Sequence, residues 1–396
     1  MSRGGSRRVE NEAINNSAQP DSLGSAAIQL SQLTIMIKKT ILGASRDEIK
    51  KRAPAAELRD CRGLPTMDAM KEFVPLRWLR NPHVMTIAAT FWRRRFARLP
   101  ASTSRLFEVE PGTQVRAECH WQENPCERAT IVLLHGLEGS SDSGYMLGIA
   151  EKAWIAGFNV VRLNQRNCGG TERLTQTLYH SGLSGDIRSV IFELIERDQL
   201  PEIFAVGFSM GGNLVLKMAG ELSDSALSQI RGFVAVAPAL DLAACADALG
   251  EPRNFIYQRH FVRGLKRRMR LKTRLFPEVF PVDGMRNIRS VREFDELITA
   301  RFCGFAGADD YYERSSAGQL LAQIRRPCLI LTSQDDPFVP ISSFSNPAIR
   351  ENPYIELVVA RHGGHCAFIS TESGDARFWA ENRVVEFCRQ RSMKQR

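Results

Sequence analysis

The 396-residue sequence predicts an α/β fold with a mostly parallel central sheet and helices on both of its faces. Continuous apolar runs, typical of strands buried on both faces, occur at residues 129–134, 158–163, 203–206, 232–237, 328–332 and 355–360. Helical patterns lie between them, at residues 144–156, 183–197, 213–222 and 376–389. Strands that alternate with helices form parallel sheets. A further run, residues 113–121, alternates polar and apolar residues and predicts a half-buried antiparallel strand.

Two segments depart from this alternation. Residues 1–65 are polar, with Gly, Ser, Arg and Asn throughout, and predict a disordered or weakly structured extension. Residues 66–396 are then expected to form the α/β domain. Within it, residues 241–319 are long, interrupted by prolines and placed between two predicted core strands. We therefore expect this segment, called the cap segment below, to be a helical insertion over the C-terminal edge of the sheet.

The composition bounds the class of protein. With 43% hydrophobic and 24% charged residues, the chain has the make-up of a soluble globular protein. No apolar run reaches eighteen residues, so no transmembrane helix is expected, and no signal peptide is predicted. The nine cysteines are scattered without a C-x-x-C pair, which favours a reducing compartment, hence the cytoplasm, over a disulfide framework or a zinc site.

Charge is concentrated in one stretch. Residues 252–277 carry nine basic residues and no acidic one, whereas the rest of the chain is balanced. A nucleic-acid-binding protein would spread its basic residues over a binding face, so nucleic acid is not an expected partner. One interpretation is peripheral contact with anionic lipid or an acidic substrate. The other is a solvated helix face with no partner.

A nucleophilic serine is predicted where a strand turns into a helix. Gly207-Phe208-Ser209-Met210-Gly211 follows the apolar run 203–206 and precedes the helical pattern 213–222. This context distinguishes a G-x-S-x-G nucleophile elbow from a chance occurrence of the pentapeptide. The turn is so sharp that glycines must flank the serine. The hydroxyl of Ser209 then lies at a helix N-terminus, where unpaired N–H groups favour developing negative charge.

A serine needs a base, and the base needs an orienting carboxylate. On this fold the expected order is serine, acid, histidine. The strand at 328–332 is followed by Asp335 and Asp336, of which Asp336 has the favoured offset, although both could simply cap the following turn. The strand at 355–360 is followed by His362 and by His365, which is the predicted base.

The tetrahedral intermediate of acyl transfer requires two N–H donors. One is predicted to be the backbone N–H of Met210, directly after the nucleophile. The other is predicted to be that of Leu137, in the loop His135-Gly136-Leu137-Glu138-Gly139 after the strand at 129–134. His135 is interpreted as a structural hydrogen-bonding residue rather than a second base.

From about residue 70 to the end, the chain resembles the YheT-like branch of the α/β-hydrolase superfamily, which also holds the lipid-acting abhydrolase-domain proteins. Besides the predicted triad, the resemblance rests on Phe73-Val74-Pro75 with Leu79-Arg80-Asn81-Pro82-His83, on His135-Gly136-Leu137-Glu138-Gly139, on Asn164-Gln165-Arg166-Asn167-Cys168-Gly169-Gly170 with Tyr179-His180-Ser181-Gly182, on Phe294-Asp295-Glu296 with Thr299-Ala300, and on Tyr311-Tyr312-Glu313-Arg314-Ser315-Ser316. The sequence departs from the family pattern at Met85, commonly glutamine, and at Arg301, commonly proline.

The resemblance implies an α/β-hydrolase fold and hydrolysis of carboxylic esters, either short-chain acyl esters or acylglycerols. The predicted chemistry proceeds through an acyl-enzyme and needs neither cofactor nor metal. Two alternatives remain open from the sequence. The same acyl-enzyme could pass its acyl group to an alcohol other than water, which would make the protein an acyltransferase. Alternatively, the basic stretch 252–277 could serve a membrane- or partner-docking protein.

Overall fold

A computed structural model describes residues 72–281 and 284–393, and the extension predicted for residues 1–65 lies outside the described residues. Eight strands form one sheet in the order β1-β2-β4-β3-β5-β6-β7-β8. Their bounds are β1 Thr103–Glu110, β2 Thr113–His120, β3 Ala129–Leu134, β4 Asn159–Leu163, β5 Glu202–Phe208, β6 Ile230–Val236, β7 Cys328–Ser333 and β8 Ile355–Ala360. β2 pairs antiparallel with β1 and with β4, and the remaining neighbours are parallel.

The predicted strands are confirmed to within a few residues, and among the described residues β1 is the one strand that was not predicted. Strands β3 to β7 bury nearly every residue, which explains their continuous apolar runs, whereas β8, at the edge of the sheet, buries only Ala360 fully. In β1 only Phe107 is buried, because this strand lies at the edge of the sheet with most of its side chains in solvent. A strand with one buried residue leaves almost no alternation to detect.

Helices cover both faces of the sheet, as predicted. Successive residues of a strand point to opposite faces, so Val132 and Leu134 enter one apolar core while Ile131 and Leu133 enter the other. The helices that flank the two cores are α1 Pro82–Phe91, α2 Gly144–Ile155, α3 Ser184–Glu196, α4 Met210–Leu222 and, near the C-terminus, Trp379–Arg391, which is named α11. α2 and α11 bury residues in the second core, and α3 and α4 bury residues in the first.

Between β6 and β7, the described residues 237–281 and 284–327 form helical and irregular structure. Its helices are α5 Leu242–Gly250, α6 Phe255–Leu275, α7 Val291–Phe294, α8 Arg301–Cys303 and α9 Ala308–Ser315, with a π-helix, Asp295–Ala300, between α7 and α8. After β7, the short helix α10, Pro347–Glu351, leads into β8. The cap segment therefore replaces a simple crossover with helices whose buried residues join the first core.

Across residues 72–281 and 284–393, no helix combines the length and the apolar character that crossing a lipid bilayer requires.

Candidate active site

Ser209 occupies the tip of the turn between β5 and α4. Its backbone is in a strained region, with φ 52° and ψ −118°, where L-residues are rare. The chain can turn this tightly only between glycines. A Cβ at Gly207 would lie 2.1 Å from the carbonyl oxygen of Gly211, and a Cβ at Gly211 would lie 2.4 Å from that of His135. Helix α4 begins at Met210, so the side chain of Ser209 lies at its N-terminus.

The loops after β7 and β8 form two parallel carboxylate–imidazole pairs. Nδ1 of His365 lies 2.8 Å from Oδ2 of Asp336, and Nδ1 of His362 lies 3.1 Å from Oδ2 of Asp335. The side chain of Asp336 is fully buried and that of His365 nearly so, whereas the side chain of His362 is about one-quarter exposed. The carboxylate that contacts the predicted base His365 is thus Asp336, the residue favoured by its distance from the end of the strand.

The turn-capping alternative, expected for both aspartates, holds for Asp336. Oδ1 of Asp336 accepts hydrogen bonds from the backbone N–H groups of Phe338 and Val339, at 3.1 and 2.9 Å. Since Oδ2 of Asp336 remains for His365, one carboxylate both caps the turn and orients the imidazole. Oδ1 of Asp335 accepts from the N–H of Gly364 and so braces the loop that carries His365.

The β8 loop meets the serine turn at one backbone carbonyl. The N–H of Ser209 donates to the carbonyl oxygen of Val236 at 2.9 Å, and the thiol of Cys366 donates to the same oxygen at 3.6 Å. Cys366, the neighbour of His365, has φ 58°, so this loop is strained as well. The shared acceptor brings the predicted nucleophile and the predicted base to the same end of the sheet.

Two further contacts fix His365, and the sequence predicted neither. Its backbone N–H donates to Oγ1 of Thr86 on α1 at 2.8 Å. Its ring packs on that of Phe338, with centroids 4.1 Å apart. Burial lowers the pKa of His365, but the adjoining Asp336 carboxylate outweighs this and raises the pKa above its ordinary value. The protonated imidazole that proton transfer would create is therefore stabilised.

The predicted oxyanion donors lie beside the serine. A Cβ at Gly136 would lie 3.1 Å from Cβ of Ser209, which places the loop after β3 directly against the nucleophile. Among the described residues, no protein acceptor takes the N–H of Leu137. Met210 is the first residue of α4, and N–H groups of the first helical turn have no partner within the helix. Both donors are thus available to an external oxygen.

His135 is part of the scaffold. Its Nδ1 lies 2.8 Å from the carbonyl oxygen of Gly136, and its Nε2 accepts from the N–H of Gln165 at 3.1 Å. Burial, with a smaller effect of Arg268, lowers its pKa to about 4, so the ring is neutral. With both nitrogens engaged, His135 has the structural hydrogen-bonding role that was expected of it, and it links the loops after β3 and β4.

A cavity of about 110 Å³ opens at Ser209. Its floor includes Ser209, Leu137 and Met210, and most of its remaining walls are apolar side chains of the cap segment. Those walls include Leu242, Cys245, Ala246, Leu249, Phe261, Leu265, Met269, Val291 and Phe294. Such a cavity suits the hydrocarbon part of a substrate.

Two charged side chains line this cavity that the sequence did not assign to the site. Asp295, in the π-helix, accepts from Thr299 Oγ1 at 2.7 Å and from the Tyr312 hydroxyl at 2.9 Å. Burial raises the pKa of Asp295 to about 6, although these two hydrogen bonds act to lower it. The second group is Arg268, from the basic stretch, which binds Glu138 at 3.0 Å.

The basic stretch proves to be amphipathic. Most of it is α6, a helix of 21 residues. Leu265, Arg268, Met269 and Lys272 lie on its inward side, because residues three or four positions apart share one face of a helix. That spacing in the sequence was the signal that could have identified them. The exposed side carries Arg259, Arg263, Arg267, Arg270 and Arg274, which are called the arginine face below.

The part of the chain that the structure describes contains no group of three or more His, Cys, Asp or Glu residues arranged to hold a metal ion.

Comparison with known proteins identifies relatives along most of the chain. Residues 131–379 match the profile of the "Alpha/beta hydrolase family". The chain is 33% identical to "Putative esterase YheT" of Escherichia coli (strain K12) over 322 residues, which cover 80% of this chain and 92% of the relative. It is 30% identical to "Monoacylglycerol lipase" of Saccharomyces cerevisiae over 264 residues, which cover 63% of this chain and 57% of the relative.

A phospholipase and a solved esterase structure are also similar. "Phospholipase ABHD3" of Homo sapiens is 28% identical over 243 residues, covering 61% of this chain and 59% of the relative. The structure of the Pyrococcus furiosus esterase Pf2001 superposes with a TM-score of 0.50 at 16% identity, covering 75% of this chain and 96% of the other. At that identity the superposition supports the fold alone.

Proposed function

Because the chain belongs to the alpha/beta hydrolase family, we propose that it is a carboxylic ester hydrolase whose catalytic triad is Ser209, His365 and Asp336. Relatives named as an esterase, a monoacylglycerol lipase and a phospholipase support ester cleavage. The observation that carries the residue assignment is the 2.8 Å contact between His365 and Asp336, on a loop that shares a backbone acceptor with the turn of Ser209.

In the proposed reaction, Oγ of Ser209 attacks the ester carbonyl while His365 takes the hydroxyl proton. The N–H groups of Met210 and Leu137 stabilise the oxyanion, and each such donor contributes about 3 kcal/mol to transition-state stabilisation. The tetrahedral intermediate collapses, the ester C–O bond breaks, and His365 returns the proton to the departing alcohol. Water then attacks the acyl-enzyme by the same route and releases the carboxylic acid.

The apolar cavity supports acyl esters or acylglycerols as substrates, with the acyl chain against α5 and α6. In this proposal the cap segment, residues 241–319, forms the roof of the binding site. Adding glycerol or a short alcohol to the assay and analysing products by mass spectrometry would detect acyl transfer as well as hydrolysis.

Substitution of the nucleophile tests the assignment. Ser209→Ala is expected to abolish turnover of p-nitrophenyl esters and covalent labelling by a fluorophosphonate. Ser228→Ala serves as the matched control and should behave as the wild type, because Ser228 is exposed and precedes β6, at the opposite end of the parallel strands from Ser209. Full labelling of Ser209→Ala would show that another residue is the nucleophile.

We also propose that the arginine face binds an anionic lipid surface. Its five arginines follow one another at intervals of three or four residues on the exposed side of α6, the helix that covers the cavity. Phe255 and Ile256, exposed by 61% and 39%, lie at the N-terminal end of the same helix. Each basic residue near an anionic membrane contributes about 1 kcal/mol at low salt.

Liposome flotation tests the lipid proposal. Vesicles of phosphatidylcholine with phosphatidylserine should carry the wild-type protein at low salt, and pure phosphatidylcholine vesicles should not. The double variant Arg263→Glu/Arg267→Glu should lose flotation but keep hydrolysis of a soluble p-nitrophenyl ester. Equal flotation of the wild type and the variant would refute the assignment of this face.

A further inference from the structure

The loop that carries the predicted oxyanion donor Leu137 is held in place from the cap segment. Its next residue, Glu138, has φ 57°, in the left-handed region that non-glycine residues rarely occupy. Such a conformation persists only where surrounding contacts enforce it. The structure supplies those contacts through the Glu138 side chain, which is only 6% exposed.

Three groups surround the Glu138 carboxylate. Nε of Arg268 donates to Oε1 at 3.0 Å, and the Tyr179 hydroxyl donates to the same oxygen at 2.7 Å. On the other side, a Cβ at Gly264 would lie only 2.4 Å from Oε2, so the carboxylate lies against the backbone of α6. The glycine in this helix is thus explained by the close approach of Glu138.

Arg268 links this loop to the loop after β4. Besides Glu138, it donates to the carbonyl oxygen of Asn167, another residue with a positive φ, 62°. Two residues earlier in that loop, Gln165 holds both the ring and the carbonyl oxygen of His135, at the start of the oxyanion loop. Arg268 is 11% exposed, and Glu172 provides a second carboxylate at 3.7 Å.

We propose that Arg268 and Glu138 are positioning residues for the oxyanion hole, through which α6 keeps the N–H of Leu137 directed at the site beside Ser209. Arg268 is charge-compensated by two carboxylates, so it is not a free cation awaiting an anionic substrate. Its action is therefore on the loop. The inference rests on the proposed function for its kinetic consequence, although the link between α6 and the loop does not depend on that function.

Kinetics of three variants test the proposal. Arg268→Met and Glu138→Gln should lower kcat for p-nitrophenyl butyrate by about 10- to 100-fold and leave KM within about threefold, because a misplaced oxyanion donor acts only in the transition state. Arg268→Lys should recover part of kcat, since lysine reaches Glu138 but lacks the fork that also binds Asn167. Arg350→Met, at an exposed position on α10, is the control.

Gly264→Ala separates positioning from stability. Alanine in place of glycine inside a helix usually stabilises it by about 1 kcal/mol. Here the added methyl group would displace Glu138, so kcat should fall about 10-fold. Tm should stay equal or fall only slightly, so that the protein remains folded at the assay temperature and unfolding does not account for the lost activity. Gly185→Ala on α3, where the nearest atom is 3.9 Å from the added Cβ, is the matched control.

Hydrogen exchange gives a readout that needs no catalysis. Peptides spanning residues 135–139 should exchange faster in Arg268→Met and Glu138→Gln than in the wild type and Arg350→Met. A rise in KM with kcat unchanged would make Arg268 a substrate contact and overturn the proposal, as would unchanged kcat and exchange. If the variants exchanged faster but the wild-type protein cleaved no ester, the link between α6 and the loop 135–139 would stand and the proposed function would be wrong.

Discussion

His365 and Asp336 face each other across the loops that follow β8 and β7, with Nδ1 and Oδ2 2.8 Å apart. One residue earlier in the chain, Asp335 makes the equivalent contact with His362 at 3.1 Å. The two pairs differ mainly in burial, since Asp336 is fully enclosed and His362 reaches solvent. A charge pair that is shielded from water interacts more strongly, so the buried pair is the one suited to stabilise an imidazolium.

Replacing Asp336 should therefore change both rate and pH dependence. Because Asp336 raises the pKa of His365, Asp336→Asn should lower that pKa, and the acid limb of the pH–rate profile should move to lower pH. Loss of the orienting carboxylate should also reduce kcat by about 10⁴-fold. Steady-state kinetics from pH 5 to 10 would measure both effects.

The chain offers its own control for this experiment. Asp335→Asn removes a carboxylate from the adjoining position, where it binds His362 and the N–H of Gly364. It should leave the acid limb in place and reduce kcat by less than about 10-fold, through loosening of the loop. If Asp335→Asn shifted the profile and Asp336→Asn did not, the two aspartates would have been assigned the wrong way round.

The features that could be predicted from the sequence are those set by residues close together in the chain. The elbow around Ser209 and the loops after β7 and β8 are short patterns bounded by apolar strands, so both could be located from spacing. The pairing of Glu138 with Arg268 joins positions 130 residues apart, and no local pattern encodes it. The inward side of α6 could have been predicted, because Leu265, Arg268 and Lys272 follow helical spacing. The many basic residues of the stretch instead favoured an interpretation based on charge alone.

The turn at Ser209 should not tolerate any side chain at Gly207. An added Cβ would lie 2.1 Å from the carbonyl oxygen of Gly211 and 2.6 Å from the backbone nitrogen of Gly212, and backbone atoms cannot move away as a flexible side chain can. We expect Gly207→Ala to reduce the free energy of unfolding by about 3 kcal/mol or more. Urea denaturation followed by fluorescence measures this loss.

Gly144→Ala is the matched variant for that measurement. Gly144 is the first residue of α2, and no atom lies within 4 Å of an added Cβ. This substitution should change the free energy of unfolding by less than about 1 kcal/mol, with a tendency to stabilise. Equal stability of both variants would mean that the turn has more room than the described geometry allows.

Asp295 should make stability fall as pH rises. Burial raises its pKa in the folded protein to about 6, so the folded state holds the proton more tightly than the unfolded chain, whose carboxyl has the ordinary value of 3.8. The contribution of Asp295 is then fully present below about pH 4 and is lost as pH rises through 6. Asp295→Asn removes this dependence, so its stability relative to the wild type should increase between pH 4 and 7.

Urea midpoints of the two proteins at half-unit pH steps would measure that difference. Asp310→Asn provides a contrast, because hydrogen bonds from the N–H of Ala306 and from Arg314 lower the pKa of this partly exposed carboxyl. The wild type should therefore gain stability relative to Asp310→Asn as pH rises from acid values. If the stability of Asp295→Asn relative to the wild type changed with pH in the same direction as that of Asp310→Asn, the raised pKa of Asp295 would be contradicted.

The length of acyl chain accepted should depend on Ala246. This residue of α5 is buried and lines the cavity of about 110 Å³, so a phenyl ring there would occupy much of the space. Ala246→Phe should lower kcat/KM for p-nitrophenyl octanoate by at least about 10-fold and change that for the acetate by less than about threefold, since each methylene group excluded costs about 1–3 kcal/mol.

Ala244→Phe, on the same helix but outside the cavity lining, controls for general disturbance of α5. Equal loss on acetate and octanoate would place the acyl chain elsewhere, and circular dichroism would confirm that both variants are folded.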